Sequence, residues 1–490
     1  MIYRKNMSSL FRRGKRMKKS VLTVLLITAA SLSAGKLDRG SRNNLPETAN
    51  LKQLTTKTQN HYISPYGGFS PDGKWIVYDT RADGPLMGSN PYIEKVNTQN
   101  RKIKRVYEVP GQNEYGPGCG TPAYHPFKDQ IIFIRGIKNA SKFRPYDLHR
   151  RTCVMVDENA APGNGIYMDA RDVYPPFTPG ALRGGTHAHQ FSGCGEWIGF
   201  TYNDAVMAEL EEKTGRKLNL RTVGVMKRGT PVEVSGHTET ENNSGRCFSV
   251  VVSSVVPDPE PGSNQISRAF SNAWVGEKGY RKKDGTYQPA QAYLGKLKTE
   301  SGEELVELFI SDIPENIQTS GRHGAIEGTK TQMPSPPEGV KQRRLTYTGE
   351  RKYPGIVLNP RHWVLSSSDG KYIAYLAKDN EGVVQLFAVS PAGGEPIQLT
   401  KHDTSVQDTF FWKPGSHAVC YVCDNSVFAL KIKDGRPCEP ARLTKRFSSH
   451  PINPCWSRDG SMIAFNLDTA ESGKQYRQIF LLTLSEDTNA

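Results

Sequence analysis

The sequence predicts an all-β fold, a seven-bladed β-propeller with six blades as the alternative, and two observations carry that prediction. A turn-and-strand unit recurs along the chain, and a lone strand near its start supplies the piece that the last unit lacks. Composition agrees: only 36% of the 490 residues are hydrophobic, while 46 Gly and 32 Pro suit many short strands joined by turns.

Each unit is an aromatic or apolar residue, a Ser-Pro-Asp-Gly-like turn, and an alternating apolar strand. It reads FSPDGKWIVYDT (69–80), YHPFKDQIIFIRG (124–136) and FSGCGEWIGFTYND (191–204), then SSSDGKYIAYLAKD (366–379), WKPGSHAVCYVCDN (412–425) and WSRDGSMIAFNLD (456–468). Gly in these turns supplies the positive φ that tight hairpins need. CFSVVVSSVV (247–256) is taken as a degenerate fourth copy.

Third strands such as QLFAVSPAGG and SVFALKIKDG follow, and fourth strands end in Leu-Thr: RRLTYT (343–348), PIQLTK (396–401) and ARLTK (442–445). LKQLTTKT (51–58) has that fourth-strand character but precedes the first unit, whereas the chain ends after QIFLLTL (478–484). The early strand is therefore expected to complete the last blade and close the ring, leaving no open edge. Residues 51–490 form one propeller domain on this reading, with long insertions at about 257–290 and 314–341.

Residues 1–34 read as a basic leader and secretory signal peptide, and 35–50 as a linker. Lys18 and Lys19 precede the apolar run Val21 to Ala30, and the small residues Ser31, Ser33, Ala34 and Gly35 follow. The run is too short to span a bilayer, so the mature chain is expected outside the cytoplasm, in a periplasm, with no transmembrane span. The leader carries eight basic residues and no acid; without it the net charge of +15 falls to +7. An excess of that size favours acidic partners, and nucleic acid is excluded for want of a recognition motif. GxSxG is absent, the one GxxxxGK match (68–74) is followed by Trp75 instead of Ser or Thr, and GPGCG (116–120) runs into Thr121-Pro122 instead of opening a helix, so no nucleotide cofactor is expected. Eight cysteines admit disulfides whose pairing the sequence leaves open.

When the units are aligned on their aromatic position, His187, His362 and Asp408 fall four residues before it and His189 two before it. Gln407 lies one further out than Asp408, and His450 six before Trp456. Innermost strands surround the axis of a propeller, so these positions converge, and alternate residues of a strand aim the same way. Imidazoles, an amide and a carboxylate so placed predict a divalent metal held by His187, His189, His362, Gln407, Asp408 and His450, with Mn, Ca and Zn not distinguished. The first insertion mixes aromatics with cations, and Arg268, Trp274, Tyr280, Arg281 and Lys282 are expected to stack on and pair with an acidic sugar. His450, Lys282 and Arg281 are the candidates for moving a proton.

FSPDGKWIVYDT and WSRDGSMIAFNLD resemble the TolB-type propeller repeat. Over nearly the whole mature chain, GGTHAHQFSGCGEWIGFTYND (184–204), RCFSVVVSS (246–254) and ISRAFSNAWVGEKGYRKKDG (266–285) resemble a bacterial family of TolB-like proteins typified by YidR, which implies a fold and little mechanism. More distantly the chain is similar to oligogalacturonate lyases, seven-bladed propellers with an axial manganese held by three histidines and a glutamine. His187, His189, His362, His450, Gln190 and Gln407 offer those ligand types, although no lyase motif matches residue by residue. Two functions follow as expectations. One is a metal-dependent carbohydrate-active enzyme performing lyase-type elimination on acidic or oxidised oligosaccharides. The other is a non-catalytic TolB-like module that binds a periplasmic protein or a glycan. TolB proteins also carry a separate N-terminal α/β domain, for which a closing strand at residue 51 leaves no room.

Overall fold

Seven antiparallel sheets, six of four strands and one, the sixth, of five through the short addition Arg436–Pro437, succeed one another along the chain in a computed structural model, which describes residues 50–82, 87–158, 165–235 and 241–484. The leader and all but the last residue of the linker lie outside the described residues. Each sheet is a blade; in the first six the first strand in sequence is innermost and the strands step outward from the axis.

The first blade comprises Tyr62–Ile63, Trp75–Asp79, Tyr92–Asn97 and Ile103–Glu108; the second, Cys119–Tyr124, Gln130–Gly136, Arg151–Asp157 and Ile166–Tyr167. The third runs Gly184–Phe191, Trp197–Asp204, Thr222–Val232 and Gly245–Val251, and the fourth Arg268–Trp274, Ala290–Lys298, Glu304–Asp312 and Lys341–Arg344. Val364–Ser366, Ile373–Lys378, Val384–Val389 and Ile397–Gln398 make the fifth; Val406–Trp412, Ala418–Cys423, Ser426–Lys433 and Ala441–Arg442 make the sixth. In the seventh, Ile452–Trp456, Met462–Glu471 and Lys474–Thr483 are completed by Leu51–Gln53, in register Leu51 with Leu482. The ring closes as the sequence predicts, with the Leu54 N–H extending the ladder to the Ile479 carbonyl at 2.7 Å.

The turns between first and second strands hold because each satisfies its own polar groups. In the first blade the Ser70 hydroxyl donates to Asp72 (2.7 Å), whose carboxylate also accepts the Lys74 N–H (3.0 Å), and Gly73 takes φ +70°. Ser367–Asp369 and Ser457–Asp459 repeat this. In the second blade His125 takes over the role, its Nδ1 accepting the Phe127 and Lys128 N–H groups. Side chains from neighbouring blades interleave; Ile198, Phe200 and Tyr202, for instance, pack on Ile132, Cys153 and Met155.

Blade four departs from expectation. CFSVVV is the outer strand of the third blade, not a blade of its own. Residues 268–274, expected within an insertion, are the innermost strand of the fourth. A small ribbon, Tyr280–Arg281 with Tyr287–Gln288, sits between that strand and the next, which is why the turn motif is missing there. Residues 313–340 form an irregular connection pinned by buried Ile317 and Ile326. All eight cysteines are free thiols, six of them buried. The single helix among the described residues, Ala205–Thr214, is N-capped by Asp204, which accepts the Met207 N–H at 2.9 Å. No helix among them is long and apolar enough to cross a membrane.

Candidate functional site

Antiparallel pairing gives a blade two ends. One carries the turns just described; the other carries the starts of the first and third strands and the ends of the second. Arg81 follows a second strand, Arg151 opens a third, Arg221 precedes a third, Arg268 opens an innermost strand, and Arg361 stands three residues before one. They come from blades one to five, and all lie at the strand-start end.

Four of these guanidiniums make no ion-pair contact, although Asp147 acts on Arg151 and Asp408 on Arg361 from further off. Arg81 is paired with Asp79 at 2.7 Å, but among the described residues no carboxylate forms an ion pair with Arg151, Arg221, Arg268 or Arg361. Burial, then the charges of Arg268 and Arg151, bring Arg221 down to about 10. Arg151 is likewise lowered by burial, against the opposing pull of Tyr146 and Asp147 and with a smaller contribution from Arg81.

Histidines hold this array in place as neutral spacers. Arg151 donates to His187 Nδ1 (2.9 Å), which leaves Nε2–H to donate to Asn203 Oδ1 (3.2 Å). The same oxygen accepts Arg221 Nε (3.1 Å). Burial, followed by Arg221 and Arg151, keeps His187 well below its ordinary pKa. The approach of the two blades depends on Gly185, where a Cβ would lie 2.1 Å from the Leu148 carbonyl oxygen. His189 is fully buried with neither ring nitrogen hydrogen-bonded, and burial followed by Arg151 takes it down to about 3. The Nε of Arg151 and the hydroxyl of Tyr146, whose ring lies under that guanidinium, are also buried without partners.

His362 and Asp408 occupy matching positions on blades five and six, and Arg361 acts on both. His362 Nδ1 hydrogen-bonds the Ser271 hydroxyl; burial, then Arg361, Arg268 and Arg221, lower it to about 4. His362 and Arg268 are exposed to solvent at this end of the blades. Asp408 is buried, accepts the Asn453 N–H at 2.6 Å, and is raised by burial against the pull of Arg361.

The expected metal set does not assemble. Among the described residues no three His, Cys, Asp or Glu side chains group closely enough to hold an ion. Both nitrogens of His187 are engaged, Gln407 is tied to Asn425 through two hydrogen bonds, and His450 stands exposed at the rim. Strand alternation also fails between His187 and His189, because a β-bulge puts Ala188 at φ +53°. Four unpaired guanidiniums around these groups favour an anion over a cation, so the residues present do not fit a metal.

The expected sugar-binding set is divided between the two ends. Arg268 is at the strand-start end, whereas Trp274 is six residues, roughly 20 Å, down the same strand. Arg281 and Lys282 sit on the ribbon at the turn end, with Lys282 3.7 Å from Asp284. Tyr280 is structural: its hydroxyl donates to Asp312 (3.0 Å) and accepts from Arg343 (3.0 Å). Arg151, Arg221 and Arg361 escape an alignment made on innermost strands alone, because two of them belong to third strands.

The family described as "Protein of unknown function (DUF3748)" matches residues 118–242, which include Arg151, His187 and Arg221. YidR of Escherichia coli (strain K12) is 36% identical over 419 residues, covering 85% of this chain and 94% of YidR. The chain belongs to the YidR family. Among solved structures, a putative TolB from Agrobacterium tumefaciens matches 80% of this chain and 98% of its own at 14% identity and TM-score 0.37. An oligogalacturonate lyase from Vibrio parahaemolyticus matches 89% of this chain and 94% of its own at 11% identity and TM-score 0.38. Likenesses at that level carry nothing about the site of this YidR-family chain.

Proposed function

We propose that this YidR-family propeller takes a carboxylate-bearing oligosaccharide, an acidic or oxidised sugar chain, into its axial opening. The observation that carries the reading is the set of guanidiniums without ion-pair contacts among the described residues, Arg151, Arg221, Arg268 and Arg361, which come from four blades and act on one another and on His362. An array of this kind is costly unless an anion completes it, and the planar guanidinium fork matches a carboxylate bidentately. The leader expected in residues 1–34 puts the encounter outside the cytoplasm, in the periplasm.

The same groups support lyase-type elimination. A guanidinium that neutralises a substrate carboxylate acidifies the C–H beside it. His362 is neutral at neutral pH and supplies the base at that position. It takes the proton, the glycosidic C–O bond β to the carboxylate breaks, and the departing oxygen is protonated from water. The products are an unsaturated acidic sugar and a shortened chain.

Calorimetric titration with digalacturonate and with a neutral disaccharide of the same size tests the binding. Digalacturonate is expected to bind and the neutral sugar not, with Arg221→Gln and Arg268→Gln each weakening it tenfold or more. Equal affinity for both sugars, or indifference to both substitutions in folded protein, overturns the proposal. Absorbance of the conjugated unsaturated product tests turnover separately, and acid-specific binding without that product reduces the function to recognition alone.

A further inference from the structure

The seven innermost strands offer one equivalent position each to the axis, three residues before the residue that leads into the turn. It is Tyr66, Thr121, Ala188, Ser271, Trp363, Thr409 and Asn453 in blades one to seven. In four blades the chain bulges there into the left-handed region: Thr121, Ala188, Ser271 and Asn453 have φ of 53°, 53°, 55° and 52°. These residues and Thr409 are small or of modest size; only Tyr66 and Trp363 carry large rings.

Those two rings meet. Their centroids are 4.9 Å apart. Blades one and five are not neighbours in a ring of seven, so a contact between them runs across the axis. Tyr66 packs against the core of blades five and six and also against that of blades two and three. In the first blade the ladder is interrupted from Ile63 to Gly68, which frees the segment to reach inward. The Trp363 indole N–H is fixed to the Phe410 carbonyl at 3.2 Å, so Tyr66 rests on an anchored partner. The Tyr66 hydroxyl has no hydrogen-bond partner among the described residues and stands within the influence of Arg361 and Arg221.

We infer that Tyr66 is the floor of the axial cavity, making it a blind pocket that admits the end of an acidic sugar chain and not its interior. The inference rests on the proposed function and adds its mode of engagement. A ring wedged across the axis leaves one mouth, at the arginine end, so a chain cannot thread through. A terminal sugar that reaches the floor meets the free hydroxyl of Tyr66, within the influence of Arg361 and Arg221.

Binding stoichiometry tests it, with digalacturonate and long polygalacturonate of known mean length as probes. The wild-type protein is expected to saturate the polymer at no more than one molecule per binding-competent chain end, whatever the polymer length. Tyr66→Phe is expected to keep that stoichiometry while weakening digalacturonate several-fold. Tyr66→Gly, which removes the floor, is expected to bind more than one molecule per end. Wild-type saturation that grows with polymer length overturns the blind pocket even if Tyr66→Gly does not fold. Intact digalacturonate binding would then leave the proposed function standing, whereas loss of both would sink the two together.

Discussion

The two ends of the blades are built from the same strands and treat charge in opposite ways. At the turn end, Asp72, Asp369 and Asp459 each accept a serine hydroxyl and a backbone N–H within their own turn, so the polarity is satisfied locally. At the strand-start end, four arginines from four blades are held without a carboxylate in ion-pair contact among the described residues, and His187 and His362, which they act on, are neutral. The first arrangement stabilises a hairpin and needs nothing further. The second is stable only because the rest of the ring holds it, which is the usual condition of a site awaiting a charged ligand.

That contrast breaks most visibly if the arginines are removed. Arg221→Gln with Arg268→Gln should reduce affinity for digalacturonate about a hundredfold, since a charge-assisted hydrogen bond contributes roughly 1.5–3 kcal/mol. The thermal midpoint should hold or rise, because two like charges leave a crowded cavity. A fall of the midpoint together with affinity would make the arginines structural and erase the distinction.

Acid should act on the strand-start end next. His189 has a folded pKa of about 3 against an ordinary 6.5. The unfolded chain therefore takes up the proton first, so the contribution of this group is complete above pH 6.5 and falls as pH drops toward 3. By pH 5 the loss should be on the order of 2 kcal/mol, read as a lower urea midpoint. His189→Gln should flatten the dependence, and an unchanged slope would show that the imidazole does not carry it.

The turn end should respond least and without any effect on binding. Asp459→Ala removes the acceptor for Ser457 and Ser461 and should cost about 1 kcal/mol by urea denaturation, as the loss of a capping side chain does. Digalacturonate affinity should not change, and a drop there would mean that the two ends are coupled.

The sequence disclosed the turn end almost completely and the strand-start end hardly at all. A turn such as Ser457-Arg458-Asp459-Gly460 is fixed by contiguous residues, so its spelling reveals its structure. The fourth blade was obscured where locality fails: the ribbon at 280–288 separates strands 268–274 and 290–298, and CFSVVV mimics a unit because an outer strand is as apolar as an inner one. Register set His362 and Asp408 at matching positions of blades five and six. It misjudged His187 and His189, since nothing in THAH announces that Ala188 will turn left-handed. Arg151 and Arg221 come from the starts of third strands of successive blades, and only the assembled ring brings them within each other's influence.

The pairing of Leu51 with Leu482 joins residues more than 400 positions apart. A chain emerging from its amino end must therefore keep this strand uncommitted until the last hairpin, 462–483, has appeared. Contacts of such separation form late and slowly. Until then the edge of Lys474–Thr483 is bare, and any similar strand, including that of a second copy, competes for it. The seam that makes the finished ring edgeless is thus the step at which its assembly is most exposed to error.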